Sequence, residues 1–256
     1  MKRILFRADD LGYSEAVNYG IEKSVKEGLV MSVGVMVNMP ATLHGVELLI
    51  DTPAAFSLHT NISAGKPLSK PEDIPSLTGH DDMFKSSKEY RSSDDFVVKE
   101  EVLIEIEAQY RKFIELFDRK PDYFEGHAVN SPVFFEAMEH FAEVHGLKYS
   151  GIPEGEGPNA LSDDAWITVG TTKVYLTMES MKEDYDPYRT LDKIMSNIHE
   201  DGVEMMICHP GYLDDYILKH SSLLIPRTQE TAMLTDPAVA EKLRDLEIEI
   251  VSYREL

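Results

Sequence analysis

Four places in this sequence put an acid or an imidazole at the end of a short, mostly apolar run or separated from it by at most two residues. Asp9 and Asp10 follow Ile4-Leu5-Phe6, His59 follows Phe56-Ser57-Leu58, His127 follows Asp122-Tyr123-Phe124, and His209 follows the run at 204–208. Each position has an ordinary reading: an Asp pair ahead of a glycine forms turns, and a histidine after a strand commonly serves a loop. The other histidines, His44, His80, His140, His145, His199 and His220, fall on expected helices or loops. Taken together, the four strand ends point to one divalent cation. Two imidazoles and a carboxylate form a facial ligand set that leaves positions open for water and substrate. Such an ion acidifies water and polarises a carbonyl oxygen. A second carboxylate beside the ligand supplies a general base, and a late-strand histidine supplies the proton for a leaving group. This equipment suits amide or ester hydrolysis. No GxSxG nucleophile motif is present, and Cys208 lies inside an apolar strand.

Residues so far apart meet only if the elements before them share a direction. The pattern alternates strand and helix. A strand at 4–6 leads to a helix with Ser14 as N-cap and Val17, Ile21 and Val25 at helical spacing. Strands follow at 31–37, 56–58, 122–124, 147–149, 174–176, 204–208 and 248–253, with helices at 43–50, 96–117, 132–145, 191–201 and 237–245 between them. Alternation of this kind means parallel strands with helical crossovers, whose C-terminal ends all lie on one side. No glycine-rich dinucleotide fingerprint or P-loop follows the first strand. The expectation is a single α/β domain over 1–256, a closed or nearly closed (β/α) barrel. Residues 64–96 interrupt the rhythm with prolines and many polar residues. A stretch of that length reads as a lid or binding loop over the site.

Composition narrows the partners. The formal net charge is −21, spread along the chain, which argues against nucleic acid and anionic membrane surfaces. A single cysteine rules out an internal disulfide and fits a reducing compartment. Only Ile4-Leu5-Phe6 stands between the basic start and Arg7, short of the apolar run of at least ~7 residues that a signal peptide needs. The expected location is the cytoplasm.

The ordered motifs resemble the YdjC-like carbohydrate deacetylase family. They are Ala8-Asp9-Asp10-Leu11-Gly12-Tyr13-Ser14 with Asn18, Gly20 and Gly28; Ser32-Val33 and Met36-Val37-Asn38-Met39-Pro40; and Leu58-His59-Thr60-Asn61-Ile62. Gly65-Lys66-Pro67-Leu68, Pro75-Ser76-Leu77, Glu125-Gly126-His127, His209-Pro210-Gly211-Tyr212-Leu213-Asp214, Arg227 and Glu230 complete the set, which spans nearly the whole chain. The resemblance implies a distorted TIM-like barrel and one divalent ion, usually magnesium, with Zn2+ or another ion as the alternative. It implies metal ligation by Asp10, His59 and His127, a base at Asp9, removal of N-acetyl groups from small acetylated, chito-oligosaccharide-like sugars with release of acetate, and a homodimer. The sequence departs from the family in lacking the extra histidines that usually follow His127, where Ala128-Val129-Asn130-Ser131 stands instead. Those histidines would border the sugar.

On this reading His209 protonates the departing amine, Asp214 orients His209, and Tyr13 and Arg227 are candidates for substrate contact. Two alternatives remain. A hydrolase of phosphorylated disaccharides would use Lys66, Lys70 and Arg227 on the phosphate. A noncatalytic sugar-binding protein would keep the metal as a structural element, but would have no use for Asp9 beside Asp10. The two adjacent acids also carry a geometric demand. Neighbouring side chains on a strand face opposite ways, so the strand must lose its regularity at Asp9 or Asp10 if both are to open onto one pocket.

Overall fold

A computed structural model describes residues 1–92, 96–153, 161 and 164–256. In chain order the elements of the first half are β1 (Arg3–Leu11), α1 (Glu15–Lys26), β2 (Ser32–Val35), α2 (Thr42–Leu49), β3 (Ala55–Thr60), α3 (Ser87–Ser92), α4 (Lys99–Phe117), β4 (Tyr123–Gly126) and α5 (Pro132–His145). The second half adds β5 (Trp166–Val169), β6 (Thr172–Thr177), α6 (Pro187–Ser196), β7 (Val203–Cys208), α7 (Asp215–His220), α8 (Ile225–Leu234), α9 (Pro237–Asp245) and β8 (Glu249–Ile250). Ser14 caps α1 as expected, its hydroxyl accepting from the Val17 amide at 3.2 Å.

The strands form one curled sheet in the order β4-β3-β2-β1-β7-β6-β5, with β8 added beside the start of β1. All neighbours are parallel except the β5–β6 hairpin. The fold is a distorted (β/α) barrel, and among the described residues no ladder joins its two edges, β4 and β5. Several local expectations are corrected. Residues 147–149 form no strand: Tyr149 makes only a single bridge to Phe124. The last strand ends at Ile250 and gives way to a 3-10 turn at Tyr253–Glu255. The stretch at 64–96 is not featureless, since it holds a 3-10 turn at Pro71–Asp73 and α3. It is also pinned to α4, where Glu105 accepts from the Leu68 and Ser69 amides and Glu101 from the Ser76 amide.

β1 is the central strand and is buried along both faces, as a parallel strand covered on each side must be. Its side chains alternate. Ile4, Phe6 and Ala8 join the large apolar cluster that packs the sheet against the helices, whereas Leu5 belongs to a separate cluster inside the barrel. That inner cluster also takes Ala55, Tyr123, Val203 and Met205 from four other strand positions and Tyr253 from the C-terminus. The rings of Tyr123 and Tyr253 stack at 3.8 Å, making a floor. Arg254 then clasps the bottom of the barrel. Its guanidinium bonds both oxygens of Asp122 at 3.0 Å and the carbonyls of Pro53 and Ala54 at 3.0 Å.

The clasp leads to a pH-dependent expectation. Burial alone would raise the Asp122 carboxyl, but Arg254, the Phe56 amide and Arg119 outweigh it and hold it below its ordinary 3.8. Its contribution is therefore complete above pH 3.8 and fades as pH falls toward the depressed folded value. Asp122→Asn should lower stability by about 1 kcal/mol at pH 7, the size of a partly exposed charge-assisted pair. In denaturant titrations the gap from wild type should narrow steadily below pH 4.

Candidate metal and catalytic site

Counting upward from the floor by twos places the site. On β1 the inward series is Leu5, Arg7, Asp9; on β3 it is Ala55, Ser57, His59; on β4 and its continuation, Tyr123, Glu125, His127; on β7, Met205, Ile207, His209. The ladder registers agree, with His59 opposite Glu125 and Arg7 opposite Ile207. The top layer of these series surrounds a cavity of about 380 Å³.

Asp10 does not belong to the inward series, yet it lines the same cavity as Asp9. It does so because the backbone breaks there. Asp10 has φ +79°, a left-handed conformation costly for a residue with a side chain, and the β1–β2 register shifts between Ala8 and Leu11. This is the loss of strand regularity that two adjacent acids require.

Asp10 Oδ1, His59 Nε2 and His127 Nδ1 lie 3.0–3.3 Å from one another. Donors sharing an ion at about 2.1 Å stand about 3.0 Å apart at a right angle and about 3.4 Å apart at the tetrahedral angle. Asp10 Oδ1 is buried and accepts no hydrogen bond, an orphan that an ion would satisfy. These residues fit a divalent metal ion as ligands. Asp10 Oδ2 accepts from Arg227 Nη2 at 2.7 Å. Burial alone would raise the Asp10 carboxyl, but Arg227 and His127 hold it well below its ordinary value. His59 is fixed from behind, its Nδ1 lying 2.5 Å from Glu125 Oε2, while Ser57 donates to Glu125 Oε1 at 2.8 Å. A carboxylate on Nδ1 sets the tautomer that leaves Nε2 free to ligate.

Asp9 sits beside this group, 2% exposed, with both oxygens held by Arg7: Nε to Oδ1 and Nη2 to Oδ2, each 2.7 Å. Arg7 also donates to Ser150 at 3.3 Å and approaches Glu125 at 3.8 Å. On the other side, Ser180 Oγ lies 3.2 Å from His209 Nδ1, and the His209 amide donates to Glu230 at 2.6 Å. Burial lowers the His209 imidazole to about 4, so it is neutral at pH 7. Burial raises Glu230 to about 7 in spite of bonds from the Tyr185 hydroxyl and the His209 amide.

Asp9, Asp10, His59, His127, His209, Tyr13 and Arg227 thus meet at one cavity, and Asp214 does not. The expected role of Asp214 on His209 is corrected: its carboxylate caps α7 through the Ile217 amide at 2.8 Å and holds the Ala16 amide at 3.2 Å. Arg227 is also committed, to Asp10 and to the Leu223 and His209 carbonyls, so it positions Asp10 and has little left for a sugar. The Tyr13 hydroxyl donates to the His220 carbonyl at 2.9 Å. Lys66 and Lys70 are not in the cavity wall; Lys88 and Arg91 of α3 are. Sequence reasoning missed Arg7, Ser57 and Glu125, although each stands two residues before a named site residue. It also missed Ser180, for which no local signal exists.

Gly34 on β2 faces this layer, and a Cβ there would lie 2.9 Å from Glu125 Oε1, 3.1 Å from Asp9 Oδ1 and 3.3 Å from His59 Cβ. Gly34→Ala should therefore cost roughly 1–3 kcal/mol of stability, as overpacking does. It should also weaken metal binding, measurable by calorimetry alongside thermal unfolding.

Comparison with known proteins places this geometry in a family. Residues 3–245 match the family described as YdjC-like protein. Carbohydrate deacetylase 2 of Listeria innocua serovar 6a is 32% identical, over 99% of this chain and 98% of its own length. The carbohydrate deacetylase of Clostridium beijerinckii is 28% identical, over 99% of this chain and 100% of its own. Among solved structures, a putative cellobiose-phosphate cleavage protein from Enterococcus faecalis V583 superposes with a TM-score of 0.80 at 21% identity, covering 99% of this chain and 98% of that one. The chain belongs to the YdjC-like family.

Proposed function

We propose that this protein is a metal-dependent deacetylase that removes the N-acetyl group from a small acetylated sugar and releases acetate. The observation that carries this reading is the convergence of Asp10 Oδ1, His59 Nε2 and His127 Nδ1 at 3.0–3.3 Å, with Asp9 and His209 beside them in one cavity. The names of its relatives supply the substrate class. A divalent ion held by the three ligands would polarise the acetyl carbonyl and acidify a water molecule. Two imidazoles and one carboxylate suit Zn2+ or another transition-metal ion better than Mg2+, which favours oxygen donors.

The chain's own residues account for the proton movements. Asp9 keeps spare lone pairs beyond its two bonds to Arg7 and accepts the proton of the attacking water. Arg7 holds that carboxylate in place. His209 enters the reaction neutral, so the proton it delivers to the departing amine must be the one Asp9 has taken from the water. Negative charge developing on the acetyl oxygen nearby favours the protonated imidazole. Ser180 and Glu230 fix the imidazole and its backbone while this happens.

A second reading, hydrolysis of a phosphorylated disaccharide, draws on Lys88 and Arg91 in the cavity wall. It is the weaker one. The common route of glycosidic hydrolysis uses a protonated carboxylic acid beside a carboxylate, and the Asp9 and Asp10 carboxylates are each bound to an arginine.

Incubation with acetylated mono- and disaccharides, some of them phosphorylated, separates the readings: acetate should appear, and the disaccharides should not be split into their monosaccharides. Asp9→Asn should keep the metal and lose at least ~100-fold in turnover. Near-normal turnover would overturn the role of Asp9. His59→Ala and His127→Ala should both lose tight metal binding, and full metal occupancy by elemental analysis would overturn the ligand assignment. Ser86, Ser87, Lys88 and Arg91 line the cavity, which supports the reading of residues 64–96 as a lid, so hydrogen exchange over 64–92 should slow when a sugar binds.

A further inference from the structure

The donors around His59 form two groups. The first is the ligand set described above. The second, Asp9, His59 and Glu125, also presents one oxygen or nitrogen each within 4.8 Å of the others, and all three residues are buried. By donor type this second group is as good a ligand set as the first: two carboxylates and an imidazole, against two imidazoles and a carboxylate. The two groups meet at the His59 ring, Nε2 facing the first and Nδ1 the second, and an ion in the second would replace the proton that Nδ1 shares with Glu125.

What distinguishes the second group is Arg7. Its Nη2 stands 2.7 Å from Asp9 Oδ2 and 3.8 Å from Glu125 Oε2, so a single guanidinium end lies between the two carboxylates. Its Nε holds the other Asp9 oxygen. The position on β1 forces this: Arg7 is one inward step below Asp9, and the floor beneath it, Leu5 and the Tyr123–Tyr253 stack, is fully buried. Guanidinium cannot shed its proton in a protein. Burial alone would lower Arg7, yet Asp9 and Glu125 raise it further. The charge between the two acids is therefore permanent.

We infer that Arg7 is a built-in second cation: it occupies the place between Asp9 and Glu125 where a second metal ion would otherwise bind, and so limits the centre to one ion. This rests on the reading of Asp10, His59 and His127 as a metal site. It has a chemical purpose. A carboxylate that ligates a metal is a poor proton acceptor, whereas one paired with an arginine keeps lone pairs for a proton. Arg7 thereby separates the duties of two adjacent acids, leaving Asp10 to the metal and Asp9 to the proton.

The test counts ions. Zn2+ is added in excess to the full chain, unbound metal is removed by gel filtration, and the metal is measured by elemental analysis. Wild type should hold one Zn2+ per chain. Arg7→Gln, which keeps an N–H donor and removes the charge, should hold two. It should also gain more in Tm from Zn2+ than wild type does. Arg7→Lys, which restores a cation, should return to one. A single Zn2+ in Arg7→Gln, or two in wild type or Arg7→Lys, would overturn the inference while leaving the first site intact. No Zn2+ in any of the three would overturn the metal site itself. If Arg7→Gln fails to accumulate as folded protein, Arg7→Met, which removes the charge and keeps much of the bulk, takes its place and should also hold two; a single ion there overturns the inference.

Discussion

Unpaired charge cannot be stored inside a barrel, and the interior of this one is arranged around that constraint. Asp9, Asp10 and Glu125 are each at most 2% exposed. Left alone, such groups would take up protons and lose the chemistry they are placed for. Arg7 answers Asp9 and leans toward Glu125, Arg227 answers Asp10, and His59 takes the nearer oxygen of Glu125. Each pairing is made by a residue that is itself enclosed, so none can be removed without leaving its partner stranded. The positions of the strands are tuned to these few contacts, and Gly34 is bare because Glu125, Asp9 and His59 already fill the space above it.

Two geometric rules deliver these side chains. The alternation of an extended strand stacks floor, support and site in steps of two residues along β1, β3, β4 and β7. The single departure, the left-handed Asp10, adds one further acid to a layer that alternation alone would deny it. Backbone strain at Asp10 is tolerated here because Arg227 holds one carboxylate oxygen and the Tyr13 amide donates to the Asp10 carbonyl at 3.0 Å.

Much of this was legible in the sequence, for reasons that can be named. Strands buried on both faces read as apolar runs, and the polar residue that ends such a run stands out, so Asp9, Asp10, His59, His127 and His209 were visible. Arg7 and Glu125 sit inside the runs, where their charge looks like an interruption. Counting back by twos from the ends would have exposed them. The β5–β6 hairpin was not legible as such, because its short strands turn at Gly170, φ +61°, without the helical crossover that marks every parallel neighbour. Asp214 misled because its spacing from His209 suggests a relay, whereas an acid two or three residues ahead of a helix amide is first of all a cap. The pairing of Arg227 with Asp10, separated by 217 positions, depends on how α8 packs against α1 and has no local trace.

The centrality of β1 bears on how the molecule comes into being. The strand that carries Arg7, Asp9 and Asp10 is made first, yet its neighbours on one side and at its base, β7 and β8, are made nearly last. During synthesis the nascent chain holds its longest strand with one lateral partner, β2, and with interior ions whose distant counterparts do not yet exist. Pairings of such long sequence separation are slow to form and leave sheet edges open while they wait. The strand's own Arg7 is the exception, since it reaches Asp9 two residues away. Of the charges on β1, that pair alone can be neutralised before the rest of the barrel has arrived.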